Sequence, residues 1–212
     1  VVLYNDGCSD NTVAEAEKWR GRLNLEIIGK AVNMGLGEGL RCLVRHAAEN
    51  GAPGDVLFIM DCDDTHHPAQ FKPMLAALAE GCQVVIASRY RRGSRVAGVP
   101  PHRQILSLGA AVLFKLLHPC RGVLDYTCGF RGYRLGLLQQ AQAAYGDNLV
   151  RERGFACMVE LLLKLNRLGA RMSEIPLELR YDLKQGASKM DVGGNTLRLL
   201  RKMVSWRLAG LQ

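Results

Sequence analysis

The stretch "VLFIMDCDDTHHP", residues 56–68, places three aspartates and two histidines directly after five apolar residues. A short apolar run followed by polar residues predicts a buried strand. Because carboxylates are not buried without partners, Asp61, Asp63 and Asp64 must lie where that strand ends. Side chains alternate along an extended chain, so Asp61 and Asp63 point to one side, where they can share Mg²⁺ or Mn²⁺. They could equally cap a helix that begins after Pro68.

Strands alternate with helices on both sides of this stretch. Strands are predicted at 1–4, 25–31, 56–60 and 83–90, with helices from about Thr12, from the glycine-rich turn to Asn50, and over 68–81. Such alternation is typical of an α/β fold with a mostly parallel sheet flanked by helices. Ligands bind at the carboxyl ends of such strands, so the loops that follow them should meet at one edge.

The second half of the chain has a less regular pattern. A basic loop is predicted at 89–103, helices at 105–118, 154–169 and 195–208, a strand at 171–181 and a loop at 182–190. No linker divides the sequence, so 1–212 is predicted to form a single domain, with its basic elements from about residue 89 onward. The sequence begins inside a strand, which predicts an N-terminal truncation that removes the first strand.

Charge is divided between the two halves. Residues 1–88 hold 7 Lys and Arg against 12 Asp and Glu, whereas residues 89–212 hold 21 against 8. An acidic half suits a cation, and a basic half suits a phosphate or an anionic membrane surface. Aromatic residues make up 6% of the chain and no nucleic-acid motif is present, so a nucleic-acid partner is not expected. The 7 cysteines include no CxxC pair, which indicates reduced thiols rather than disulfides or a zinc site.

Three further segments leave alternatives open. Neither His66 nor His67 has a zinc-site spacing, and His67 is expected to pack at a helix start. The glycines of "NMGLGEG", residues 33–39, suit either a phosphate loop or a tight strand-to-helix junction. The helix at 105–117 is either core or interfacial, and the basic, Trp-bearing helix at 195–208 slightly favours a membrane surface.

Six blocks, taken in order, resemble family 2 glycosyltransferases of the GT-A fold, and among them the dolichol-phosphate mannose synthase group. The blocks are "YNDGCSDNT" (4–12), "NMGLGEGL" (33–40), "DCDDTHHP" (61–68), "SRY" with "HRQILS" (88–90 and 102–107), "DYTCGFRGYR" (125–134) and "IPLELRYDLKQGASKM" (175–190). The resemblance implies the GT-A nucleotide-diphospho-sugar transferase fold. Asn5, Cys8, Asp64 and His67 depart from the family pattern and leave the donor's base and sugar open.

The resemblance also implies which residues bind the donor. Asp6 would lie near the nucleotide base or ribose, and Asn33 of the glycine-rich loop would also contact the donor. Asp61 and Asp63 would bind the metal and the diphosphate, with Thr65 as a further metal contact. The donor would be a GDP- or UDP-sugar, and the cofactor a divalent metal, Mg²⁺ or Mn²⁺.

On the acceptor side, the resemblance assigns five basic or hydroxyl side chains. Arg89, Arg103 and Ser107 would hold the phosphate of a polyprenyl or dolichyl phosphate, and Arg180 and Lys189 would close over the phosphates. The implied reaction is an inverting sugar transfer in which the metal-binding aspartates, Arg89 and Arg103 are catalytic. The protein would work at the membrane surface, cytoplasmic and peripheral on the cytoplasmic face.

Two other activities remain open from the sequence. A family 2 enzyme that uses a sugar hydroxyl as acceptor would need an acidic base, for which Glu160 and Asp125 are the candidates. A nucleotidyltransferase of similar fold would release pyrophosphate rather than a nucleoside diphosphate.

Overall fold

The computed structural model describes residues 1–183, 192–208, 210 and 211. Its helices and strands are β1 (Val2–Asp6), α1 (Thr12–Glu17), β2 (Glu26–Lys30), α2 (Leu36–Asn50), β3 (Val56–Ile59), α3 (Phe71–Ala79), β4 (Val84–Ser88), β5 (Arg95–Ala97), α4 (Pro101–Leu117), β6 (Arg131–Arg134), α5 (Leu135–Tyr145), α6 (Ala156–Arg167), β7 (Met172–Pro176), β8 (Glu178–Arg180) and α7 (Val192–Leu208). The predicted alternation of strands and helices as far as β4 is confirmed.

The central sheet has the strand order β3-β6-β4-β7. β6 runs antiparallel to both β3 and β4, whereas β7 runs parallel to β4. Since β3 and β4 each run opposite to β6, they point the same way, and both end beside Arg131, which lies opposite Ile59 and Ile86. β1 pairs with β2, and β5 with β8, in parallel. The strand pairs of the described residues are therefore mostly parallel, as expected.

Strand β4 is the most deeply buried strand of this sheet. All of its residues, Val84–Ser88, are buried, which is typical of a strand covered on both faces. Helix α3 packs on β4 and β7, while α2 packs on β1, α5 and α6. The hydrophobic core extends along the chain from Leu40 to Leu211, so elements of both halves contribute to it.

The structure corrects two predictions in the second half. The segment 89–103, predicted as a loop, contains β5, and the strand predicted at 171–181 is divided into β7 and β8. Leu177 lies between them, is 1% exposed, donates its N–H to Ser88 O at 3.0 Å and accepts the N–H of Arg95 at 2.8 Å. The chain therefore passes from one partner strand to another at this residue, a change that local sequence pattern does not encode.

Helix α5 was not predicted from the sequence. It follows β6 without an intervening loop and buries Leu135, Leu137, Leu138 and Ala141. Its glutamines and glycine weaken the apolar periodicity, and its stability comes from packing on α2 and α6.

The side chain of Arg131 is fully buried at the start of β6. Its guanidinium donates to three backbone carbonyls, those of Tyr126 at 2.7 Å, Cys128 at 2.8 Å and Met158 at 2.7 Å. These bonds join the segment that precedes β6 to the first turns of α6. One side chain thereby fixes the path of residues 126–130.

We predict that Arg131→Met destabilises the fold by about 3 kcal/mol or more, because it removes a charge-assisted hydrogen bond from each of three backbone carbonyls in the buried core. For a domain of this size, the melting temperature should fall by roughly 6–12 °C. The matched control is Arg134→Met on the same strand, because Arg134 also binds two carbonyls but is only partly buried. Equal melting temperatures for the two variants would contradict this role of Arg131.

Candidate active site

The aspartates after β3 lie in a tight turn. Thr65 is buried and donates its hydroxyl to Asp63 Oδ1 at 2.6 Å and its N–H to the same oxygen at 3.3 Å. Asp64 has a φ of 62°, a left-handed conformation that aspartate tolerates better than most residues. Thr65 therefore orients the Asp63 carboxylate, and its expected contact with a metal stays a prediction.

The two histidines close this turn in different ways. His66 is buried, stacks on Phe130 with ring centroids 4.9 Å apart and accepts the Asp61 N–H at Nδ1. Burial lowers the pKa of His66, although the charges of Asp61 and Asp63 act in the opposite direction, so the neutral ring is the acceptor. His67 accepts the N–H of Ala69 and caps the short helical turn at Pro68–Gln70. The expected helix-start role of His67 is confirmed, and the capping residue is not one of the aspartates.

A cavity of about 350 Å³, which we call the carboxylate cavity, opens over this turn. Asp61, Asp63, Thr65 and Arg89 all line it. Among the described residues, no group of three His, Cys, Asp or Glu side chains could enclose a metal. Two carboxylates fit a hard cation that completes its coordination with diphosphate oxygens and water, as Mg²⁺ commonly does.

Arg89 follows β4 and is held by a buried carboxylate. Its Nε and Nη2 donate to Asp125 at 2.8 and 2.6 Å, its backbone N–H donates to Asp125 at 3.0 Å, and Nη2 also reaches Thr127 Oγ1 at 2.6 Å. Nη1 makes no hydrogen bond with the residues that the structure describes. The bonds to Asp125 therefore fix the guanidinium and leave one edge of it for an anionic ligand.

Neither acidic residue considered as a base is suited to that role. Burial acts to raise the pKa of Asp125, but the hydrogen bonds and charge of Arg89 prevail and hold that pKa below its usual range. Glu160 is also buried, accepts the backbone N–H of Arg151 and Glu152, and pairs with Lys164 at 2.7 Å. Both carboxylates maintain the fold, which corrects the expectation that either could take a proton from an acceptor.

A second cavity, of about 560 Å³, lies between α4 and α7. We call it the apolar cavity, because side chains such as Ile105, Leu108, Leu199 and Met203 line it. The two cavities share five wall residues: Arg89, Thr127, Phe155, Leu179 and Tyr181. A ligand with its apolar chain in the apolar cavity could therefore place its polar head group at the opening of the carboxylate cavity.

Ser107, an expected phosphate contact, lies on the wall of the apolar cavity. Its Oγ is 2.7 Å from the hydroxyl of Tyr90, whose ring lies 5.4 Å from Cζ of Arg89. Arg103 lies in α4, but its side chain is outside the described residues. The structure thus brings Arg89 and Ser107 to one cavity, as the sequence predicts.

Helices α4 and α7 each combine a packed face with an exposed apolar face. Phe114 of α4 and Met203 and Trp206 of α7 are buried in the core. The tryptophan that favoured a membrane helix therefore stabilises the fold. Within the described part of the chain, no helix is long and apolar enough to cross a membrane.

Asp6 and Asn33 lie at the first strand-to-helix junctions. Asp6 accepts the N–H of Met34 at 2.7 Å and of Gly35 at 2.9 Å, so its carboxylate fixes the glycine-rich loop. Asn33 is exposed on that loop. Gly37 donates its N–H to Arg153 O at 2.7 Å, and a Cβ there would lie 1.8 Å from Glu152 O. The loop is therefore a close backbone junction, and nucleotide contacts of Asp6 and Asn33 stay predictions.

Arg180 lies beside the turn that carries Asp61, Asp63 and Thr65. Its N–H donates to Thr65 O at 3.1 Å, while its exposed guanidinium pairs with Asp182 at 2.9 Å. Lys189, the other residue expected to close over phosphates, lies outside the described residues. To bind a phosphate, the guanidinium of Arg180 would have to break its ion pair with Asp182.

Sequence reasoning missed four residues that line this region: Tyr90, Thr127, Phe155 and Tyr181. Tyr90, Thr127 and Tyr181 lie inside blocks that carried the family resemblance, so the motif residues around them gave a signal. Phe155 lies 43% exposed before α6, and nothing in the local sequence distinguishes it from a core residue.

The chain belongs to glycosyl transferase family 2, whose family model matches residues 1–141, about two thirds of the sequence. The α/β architecture with the site at the strand ends is that of the GT-A fold, so the expected fold is confirmed.

Two curated relatives match nearly the whole chain. A dolichol-phosphate mannosyltransferase of Pyrococcus furiosus is 25% identical over 97% of this chain and 55% of the relative. An undecaprenyl-phosphate mannosyltransferase of Micrococcus luteus is 28% identical over 99% of this chain and 82% of the relative. The chain thus spans little more than half of the archaeal relative.

Glucosyl-3-phosphoglycerate synthase from Mycobacterium tuberculosis, solved in complex with Mn²⁺ and UDP-glucose, has a similar fold. It superposes with a TM-score of 0.67 at 22% identity and covers 98% of this chain and 67% of the solved one.

We predict that Glu174 makes stability depend on pH. It lies buried in β7 and accepts the N–H of Leu124 at 2.7 Å and of Asp125 at 2.6 Å. Burial raises the pKa of Glu174, although those two N–H groups lower it in part. The stability due to its bound proton is therefore complete below the ordinary carboxyl pKa and lost as pH rises through the raised value.

Glu174→Gln keeps an acceptor oxygen and cannot ionise. Its melting temperature relative to wild type should therefore rise between about pH 4 and pH 8. Calorimetry across this range measures the trend, with Glu178→Gln at an exposed position of β8 as the matched control. A difference that stays constant with pH would contradict the prediction.

Proposed function

We propose that the protein transfers a sugar from a nucleotide-sugar donor to the phosphate of a polyprenyl phosphate. The observation that supports this proposal is that Arg89 lines both cavities, one of which contains Asp61 and Asp63 while the other is apolar. The relatives named as dolichol- and undecaprenyl-phosphate mannosyltransferases support it.

The carboxylate cavity is the proposed donor site. Asp61 and Asp63 would hold Mg²⁺ or Mn²⁺, and Thr65 keeps the second carboxylate in place. The ion would neutralise the charge that develops on the departing nucleoside diphosphate. Binding of Mn²⁺ and UDP-glucose by the structural neighbour supports this assignment without deciding between a GDP- and a UDP-sugar.

The remaining donor contacts are assigned as the family resemblance implies. Asp6 and Asn33 would act on the nucleotide side, and Arg180 and Lys189 would neutralise the phosphates from the rim.

The apolar cavity is the proposed acceptor site. The first isoprene units would lie between α4 and α7, and the phosphate would be bound by Arg89 of the shared wall and by Ser107 of the apolar cavity, with Arg103 as a further contact that the resemblance implies. Asp125 holds Arg89 so that its outer edge faces this position. The positive half of the chain supplies these contacts, and the acidic half supplies the metal site.

The chemical step would be an in-line displacement. A phosphate monoester is already anionic near neutral pH, so its oxygen needs orientation more than a general base. The acceptor oxygen forms a bond to the anomeric carbon as the bond to the donor diphosphate breaks, and the electron pair leaves with the diphosphate. Attack opposite the leaving group inverts the anomeric configuration. The absence of a suited base at Asp125 and Glu160 makes a sugar hydroxyl a poorer acceptor.

We also propose that the protein docks on the cytoplasmic membrane face. The exposed apolar side chains of the two acceptor helices are Ile105, Leu106, Leu108, Val112 and Leu116 on α4 and Leu197, Val204 and Leu208 on α7. Arg198, Arg201 and Arg207 lie exposed on the same α7 helix, which suits anionic lipid head groups. Residues 1–212 would act as one domain, because the core draws on both halves.

We predict that Asp63→Ala lowers sugar transfer at least about 100-fold, since the diphosphate loses a metal ligand. The assay uses the longest available form of the protein, radiolabelled nucleotide sugar, polyprenyl phosphate and Mn²⁺ or Mg²⁺. Chelation of the metal should have the same effect. Asp64→Asn is the matched control, because it removes a neighbouring charge and keeps a residue that tolerates the left-handed conformation.

Wild-type turnover in Asp63→Ala, or in metal-free buffer, would refute the proposed site. Release of pyrophosphate instead of a nucleoside diphosphate would indicate a nucleotidyltransferase. A thermal-shift panel of GDP-, UDP- and CDP-sugars with Mn²⁺ identifies the donor, because the true donor stabilises the folded state by mass action.

We predict that the protein floats with vesicles that contain phosphatidylglycerol and that salt weakens this binding. The double variant Ile105→Asp with Leu116→Asp should lose it, because both side chains are more than 70% exposed and would enter the head-group region. Leu75→Asp on α3, at a partly exposed apolar position away from these helices, is the control. Retention of vesicle binding by the double variant would contradict this docking surface.

A further inference from the structure

The hydroxyl groups of Tyr90 and Ser107 form a hydrogen-bonded pair in the wall of the apolar cavity. Their oxygens are 2.7 Å apart, although one residue comes from the turn after β4 and the other from α4. The Tyr90 ring also lies 5.4 Å from Cζ of Arg89, so the pair adjoins the guanidinium that Asp125 holds.

Only one of these two hydroxyls can donate within the pair. The distance suits either hydroxyl as the donor, but a phenol is the stronger donor and an aliphatic hydroxyl the stronger acceptor, which favours donation from Tyr90 to Ser107. Burial raises the pKa of Tyr90, although Arg89 acts against this rise, and the phenol therefore keeps its proton near neutral pH. The hydroxyl proton of Ser107 is then available for a hydrogen bond to a third group.

An anionic oxygen in the apolar cavity would be the strongest acceptor for that remaining proton. It would compete successfully with a carbonyl of α4, to which a helical serine otherwise tends to donate. Donation from Tyr90 also polarises the Ser107 hydroxyl, because hydrogen bonds in a chain strengthen one another.

We propose that Tyr90 is a positioning residue for the acceptor phosphate, acting through Ser107. This inference rests on the proposed function and deepens it, because it adds to the acceptor site a residue outside those that the sequence predicted. Tyr90 holds Ser107 in the orientation in which its hydroxyl and the free edge of Arg89 can bind one phosphate together. The arrangement selects a phosphate monoester over an uncharged prenyl alcohol.

The test measures binding directly, by calorimetric titration of the protein with dodecyl phosphate below its micelle concentration. Loss of a hydrogen bond in the chain to a charged group should weaken binding about tenfold in Tyr90→Phe and in Ser107→Ala. The double variant should be no weaker than Ser107→Ala alone, because both changes interrupt one chain. Ser107→Thr retains a hydroxyl and should bind nearly as wild type.

The matched control is Tyr145→Phe, which removes a phenol at the end of α5, outside both cavities, and should leave the Kd unchanged. In sugar transfer, Tyr90→Phe should raise the KM for polyprenyl phosphate and leave the donor KM unaltered. If Tyr90 had only a structural role, Tyr90→Phe would change the KM for polyprenyl phosphate, the donor KM and the melting temperature together.

Three results would overturn the inference: an unchanged Kd in Tyr90→Phe, additive losses in the double variant, or no binding of dodecyl phosphate to the wild type. Failure of the proposed function has a different signature. In that case, the wild type binds the alkyl phosphate with the expected Tyr90 dependence and transfers no sugar to polyprenyl phosphate.

Discussion

The ion pair between Arg89 and Asp125 is the interaction on which the candidate site depends. Asp125 is fully buried, and a buried carboxylate is stable only when paired and hydrogen-bonded. Its backbone is in turn fixed by Glu174, and the carbonyls that follow it are fixed by Arg131. The guanidinium is therefore held rigidly in the wall between the two cavities, where a flexible arginine would be solvated and poorly oriented.

The antiparallel strand β6 explains why these groups meet. It lies between β3 and β4, so the loops after those two strands are separated by two strand spacings, about 10 Å. Because β6 runs in the opposite direction, its first residue lies at their carboxyl ends. The segment 125–130 therefore contacts both loops, since Asp125 and Thr127 bind Arg89 and Phe130 stacks on His66. In a purely parallel sheet, the segment before the middle strand would lie at the opposite edge, and another loop would have to fill the space between the loops after β3 and β4.

The division of charge along the sequence becomes a division of space around this segment. The acidic turn after β3 lines the carboxylate cavity, and helices of the basic half line the apolar cavity. Residues 151–155 connect the two sides, since Glu152 pairs with Lys202 of α7 while Arg153 O receives the N–H of Gly37 at the start of α2. The glycine-rich loop and helix α7 thus contact one short segment.

The sequence by itself determined the alternation of elements as far as β4, the position of Asp61 and Asp63 at a strand end, the division of charge and the family. These features are local or follow from ordered motifs, so periodicity and spacing suffice to find them. Only the tertiary structure decided the strand exchange at Leu177, the packing that forms α5, and the pairing of Arg89 with Asp125, which lies 36 residues away. Pairs so distant in sequence depend on strand order and on burial, and neither is encoded in the pattern around a single residue.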